Sequence, residues 1–149
     1  MIDGVVITPL RRIPDERGKV MHILKSSDDG FVRFGEVYCS TVFPGVVKGW
    51  TRHREMTLNY AVVSGMIKLV LFDGRRDAAT HGMLREIYVG DDHYVRVTVP
   101  PGVWYGFKGV GTREAFIINV TDLPHDPDEM ERMDPHDNPI PYDWGVRER

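Results

Sequence analysis

A neutral imidazole can take a proton from carbon near neutral pH, because its ordinary pKa is about 6.5. The chain has six histidines, His22, His53, His81, His93, His125 and His136. A metal centre needs several ligands converging, yet His53 has no histidine at i±2 or i±4 and only Glu55 would share its strand face, so the spacing carries no metal signature. His125 and His136 lie in a polar C-terminal stretch and read as solvated, and His22 is given the same surface reading. His53 stands apart. It sits in Gly45-Val46-Val47-Lys48-Gly49-Trp50-Thr51-Arg52-His53-Arg54-Glu55, where glycines, an indole and charged side chains crowd one segment. That segment is either an exposed charged strand edge or a polar cluster at the mouth of a barrel.

Two further constellations could carry chemistry. Asp15-Glu16-Arg17-Gly18 is a charged turn whose arginine could present a bidentate fork to a phosphate, a geometry lysine cannot match. Val99-Pro100-Pro101-Gly102-Val103-Trp104-Tyr105-Gly106-Phe107 sets three aromatics among prolines and glycines. It reads either as packing at a barrel corner or as an aromatic wall that places the Tyr105 hydroxyl in a pocket. No Gly-x-Ser-x-Gly, Walker loop or Gly-x-Gly-x-x-Gly occurs.

The elements that must hold these groups are short strands. Val95-Arg96-Val97-Thr98-Val99 alternates with the period of a half-buried strand. Residues 34–42, 60–63, 67–72 and 115–120 are further strands, the second and third joined by a Ser64-Gly65 hairpin. A single helix is expected over residues 126–133, with Asp126 as N-cap, Pro127 at N1, Glu129 at N3 and Pro135 as its stop. Ile140, Tyr142 and Trp144 could anchor the polar tail to the body. Short strands separated by turn residues point to a β-sandwich or barrel, and we see no linker or internal repeat.

Composition narrows the function. With 149 residues, 42% hydrophobic and 28% charged, the chain is sized for one globular domain, residues 1–149. A net charge of −3 argues against a general nucleic-acid binder. No apolar run is long enough to span a bilayer, and the first ten residues lack a signal-peptide pattern. Cys39 is the only cysteine, which excludes an intrachain disulfide. A cytoplasmic protein without membrane or nucleic-acid partners is expected.

Taken together, these segments resemble the dTDP-4-dehydrorhamnose 3,5-epimerase family, the RmlC-like cupins. The family's Asp-x-Arg-Gly is matched by residues 15–18, and its Gly-Val-hydrophobic-Arg-Gly-hydrophobic-His by residues 45–53. Its Gly-rich strand ending in Asp-x-Arg is matched by residues 64–75, its Pro-x-Gly-x-x-His-Gly-Phe by residues 100–107, and its Thr-Asp by Thr121-Asp122. The resemblance implies an all-β cupin jelly roll, a homodimer, and cofactor-free and metal-free epimerisation beside the ketone of a nucleotide-linked 4-keto-6-deoxy sugar. The chain departs from the pattern at several positions. Thr51 aligns with the family's catalytic histidine, with His53 two residues later on the same strand face. Tyr105 replaces the second-motif histidine, Ile118 the general-acid tyrosine and Lys48 the arginine, and no catalytic lysine is evident near Leu58.

On this resemblance His53 is the expected base and Tyr105 the expected donor to the enolate. Arg17 and Lys48 would hold the pyrophosphate, and Glu36 and Tyr38 would line the pocket. Arg52, Arg54 and Lys48 are expected to flank His53 and favour its neutral form. The alternatives are a ketoisomerase on the same substrate class and a non-catalytic sugar-nucleotide-binding cupin.

Overall fold

A computed structural model describes residues 1–146. The chain runs through β1 (Val6–Pro9), β2 (Arg12–Asp15), β3 (Gly18–Met21), β4 (Glu36–Val42), β5 (Val47–His53), β6 (Leu58–Ser64) and β7 (Met66–Asp73). It continues through β8 (Leu84–Gly90), β9 (Val95–Val99), β10 (Val103–Val110), β11 (Ala115–Thr121), a 3-10 turn (Pro127–Glu129) and β12 (Met130–Arg132). Two five-stranded sheets face each other, ordered β1-β9-β6-β11-β4 and β12-β5-β10-β7-β8, and β2 and β3 form a separate hairpin. This is the jelly-roll sandwich expected from the sequence. Among the described residues no helix is long and apolar enough to cross a membrane.

Alternation dictates which side chains meet. Along β9, Val95, Val97 and Val99 enter the core between the sheets, joined by Leu58, Val62, Leu69, Leu71 and Ile117. Each such aliphatic contributes roughly 1.5–3 kcal/mol by leaving water. Arg96 and Thr98 point the other way, yet Arg96 is fully buried. Its guanidinium donates to Ile23 O and Asp29 O and pairs with Asp28, which ties the segment before β4 across the first sheet.

The second sheet is covered by the chain's own tail. Ile140 and Trp144 pack on Trp50, Val70 and Trp104, with Tyr142 edge-on to Trp50 at 6.0 Å and Lys108 Nζ donating to Trp144 O at 2.8 Å. The tail is therefore anchored as its apolar residues suggested. At the end of β7, buried Asp73 accepts from Arg75 and from the Thr80 hydroxyl. The Arg75 bonds hold its carboxyl below the usual range, at about 2.

The expected helix over residues 126–133 is not formed. Asp126 does cap a turn, accepting from Asp128 N, but the turn ends at Glu129 and the chain becomes β12. Arg54 N donates to Glu129 O, and Trp50 and Met133 exchange backbone bonds. Pairing with the edge of β5 supplies the hydrogen bonds that further helical turns would have made, so tertiary pairing overrides the local cap signal.

Candidate active site

The alternation of β5 would place Thr51 and His53 on one face and Lys48, three residues before Thr51, on the other. A register shift between Tyr105 and Gly106 on the neighbouring β10 removes this conflict. After it, Lys48 pairs with the inward Phe107, while Thr51 pairs with the inward Tyr105. The two backbones approach so closely there that a Cβ on Gly49 would stand 2.5 Å from the Gly106 Cα. Glycine at both positions makes the bulge possible.

His53 is only 3% exposed. Its Nδ1 lies 2.6 Å from Glu129 Oε2, and its Nε2 lies 3.1 Å from the Tyr105 hydroxyl. A carboxylate only accepts, so Nδ1 carries a hydrogen, and in the tautomer with that hydrogen alone Nε2 accepts the Tyr105 O–H. The His53 and Tyr105 rings are nearly parallel, 5.9 Å apart. Glu129 Oε1 also accepts from Glu55 N and Met56 N, each at 2.9 Å. Burial works to raise the Glu129 carboxyl, but His53 and these two amides outweigh it and hold it below its ordinary value.

Burial pushes the Tyr105 hydroxyl up to about 12, against the opposing influence of Tyr60, Thr51 and Arg132. Tyr60 is raised well above its ordinary value, first by burial and then by Tyr105 and Tyr38. Neither phenol ionises near neutral pH, so both remain donors.

These groups line a cleft of two lobes. One, of about 300 Å³, is bordered by Glu36, Tyr38, His53, Met56, His125 and Met130. The other, of about 460 Å³, is bordered by Ser40, Lys48, Trp50, Tyr60, Phe107 and Pro135. Tyr38, Thr51, Tyr105 and Arg132 border both. Among the described residues Arg132 makes no ion pair, so its cation is available to the cleft. Lys48 Nζ donates to Thr41 O at 2.5 Å. No group of three His, Cys, Asp or Glu side chains among the described residues is placed to hold a metal ion.

His53, Tyr105, Glu36, Tyr38 and Lys48 thus come together at the cleft. Arg17 does not. It lies on the β2–β3 turn, exposed, with its guanidinium on Asp15. The flanking arginines also differ from expectation: Arg52 and Arg54 both turn to Glu131, and the charge that faces His53 is the Glu129 carboxylate. His125 is exposed, as expected, and it also borders the smaller lobe, its backbone N–H donating to Glu36 Oε2 at 2.8 Å. Glu129 and Arg132 were missed as site residues. The helix-cap pattern gave Glu129 a local explanation, and Met-Glu-Arg carries no strand signal.

The family model for dTDP-4-dehydrorhamnose 3,5-epimerase matches residues 1–149. The chain belongs to this family. A probable low-salt glycan biosynthesis epimerase of Haloferax volcanii is 34% identical over 95% of this chain and 89% of its own. A spore coat polysaccharide biosynthesis protein of Bacillus subtilis is 28% identical over the whole of both chains. The crystal structure of a dTDP sugar isomerase from Desulfovibrio desulfuricans G20 superposes with a TM-score of 0.92 at 43% identity, covering 96% of this chain and 92% of that one. Against the family's pattern, Leu58 is an apolar core residue where the lysine was sought. Ile118 follows the buried Ile117 on β11 and so faces away from the core.

Proposed function

We propose that this member of the epimerase family inverts a carbon beside the ketone of a nucleotide-linked 4-keto-6-deoxy sugar. The observation that carries the reading is the Glu129–His53–Tyr105 array, buried at one wall of a cleft whose second lobe holds Lys48. His53 Nε2 takes the proton, and Glu129 stabilises the imidazolium that results. For this the Tyr105 O–H leaves Nε2 when substrate binds and turns to the ketone oxygen, so that it donates where charge appears. Lys48 and Arg132 hold the pyrophosphate, and Glu36 and Tyr38 border the sugar. No cofactor is needed, since base and donor are side chains.

The working unit in this reading is a two-fold dimer in the cytoplasm. The chain's tail covers the second sheet, whereas the first sheet leaves Val6, Val37 and Phe116 exposed on its outer face. A second copy would cover these side chains. It would also give Arg17 a phosphate to bind, in the partner's cleft rather than its own. A free cysteine, Cys39, is in keeping with a reducing compartment.

Incubation with dTDP-4-keto-6-deoxyglucose in heavy water, followed by NMR, tests the reading. Deuterium at C3, C5 or both with inversion is the expected result. A moved ketone would make the protein a ketoisomerase, and absence of exchange would leave a binding protein.

A further inference from the structure

Inversion requires that the proton leave one face of the sugar ring and return on the other. His53 on β5 and Tyr105 on β10 belong to neighbouring strands of one sheet. Their side chains touch, with Nε2 and the hydroxyl 3.1 Å apart and the rings stacked. Both groups therefore reach a substrate from the same wall. Tyr105 is placed to hold the enolate oxygen, and it is poorly placed to protonate the opposite face.

The facing sheet supplies the missing donor. Its edge strand β4 brings Glu36 and Tyr38 to the catalytic lobe. Glu36 Oε2 is engaged by the backbone N–H of His125 at 2.8 Å. Tyr38 carries a proton to give. Its oxygen accepts from Asn119 Nδ2 at 2.9 Å, which leaves its own O–H available to donate. Asn119 is fully buried, so this support is fixed in position.

We infer that Tyr38 is the general acid that protonates the enolate carbon from the wall opposite His53. The inference rests on the epimerase reading. His53 Nε2 takes the proton from the carbon beside the ketone. The C–H electron pair becomes the enolate double bond, and the carbonyl π pair moves to the oxygen held by Tyr105. The enolate carbon then takes the Tyr38 proton. The phenolate left behind is held by the Asn119 amide and regains a proton from water, which reaches it because Tyr38 is 39% exposed. His53 returns its own proton to solvent, and the enzyme is restored.

The test separates exchange from inversion, using dTDP-4-keto-6-deoxyglucose in heavy water with the parent protein, Tyr38→Phe, Asn119→Ala and Tyr105→Phe. Tyr38→Phe should slow inversion by about 10²–10³-fold while exchange with retention, carried by His53 alone, stays within about threefold. Asn119→Ala should lower the ratio of inversion to exchange about tenfold with Tyr38 still present. Tyr105→Phe should lower both rates together. Tyr38→Phe that inverts like the parent, or that loses exchange and inversion in equal measure with an unchanged thermal melt, overturns the assignment. A parent protein that neither exchanges nor inverts overturns the epimerase reading itself.

Discussion

Glu129 Oε2 stands 2.6 Å from Nδ1 of His53 although 76 positions separate them in sequence. β12 is the device that joins them, because Met130 pairs with His53 across the edge of β5. The carboxylate fixes which ring nitrogen is free, and in the proposed mechanism it is the charge that would steady His53 once the ring has taken a proton. Glu129→Gln keeps an oxygen to accept from the ring or the backbone but removes that charge. Turnover should fall about 10²-fold with KM little changed, and His53→Gln should fall about 10²–10⁴-fold. Steady-state kinetics and solvent exchange check both. Unchanged exchange in His53→Gln would move the base elsewhere.

Lys48 and Arg132 border the lobe that would receive the pyrophosphate. A charge-assisted contact to phosphate is worth about 1.5–3 kcal/mol. Lys48→Ala and Arg132→Ala should each raise KM about ten- to a hundredfold, with kcat within a few-fold. Titration with dTDP alone should show the same loss, because the lost contacts are to the nucleotide end.

Arg17→Ala distinguishes a turn residue from a contributor to a partner's cleft. Binding weakened about tenfold is the expected outcome for the alanine variant alone. Mixing Arg17→Ala with His53→Gln should then restore activity, since each mixed dimer holds one cleft with both residues intact. Light scattering should show two chains per particle. Unaltered binding in the single variant would leave Arg17 with Asp15 as a surface pair.

Asp73 gives the fold an acid-sensitive anchor. Its folded pKa, about 2, lies below the ordinary carboxylate value of 3.8. The unfolded chain therefore binds the proton first as pH falls. Stability from this group is fully present above about pH 4 and is lost as pH drops through 2. The loss should reach about 2 kcal/mol. Melting followed from pH 5 to 2 should decline, and Asp73→Asn should start lower and decline less.

The sandwich was legible because its core strands alternate or run apolar: Val95–Val99 was bounded as observed, and the flanks of Ser64-Gly65 became β6 and β7. His53 stands out in the sequence through its unusual neighbours, and the fold puts it at the wall of the cleft. Glu129 does not stand out, because its hydrogen-bond partner lies on a distant strand while its own surroundings, Asp126 and Pro127, spell a helix start. The inward turn of Lys48 was equally hidden. It depends on a bulge that two glycines on different strands create jointly, and neither glycine announces it alone.

The position of β12 also sets an order of assembly. Synthesis delivers every other strand before Glu129 emerges, so a nascent chain can close most of both sheets while its base still lacks a carboxylate. In the proposed mechanism, proton transfer would therefore be switched on last. A stop codon between Thr121 and Asp126 would remove more than the counter-charge of His53, because Arg132 and the Ile140 and Trp144 side chains that cover Trp50 lie beyond the same point, so the cleft and the cover of the second sheet are lost together.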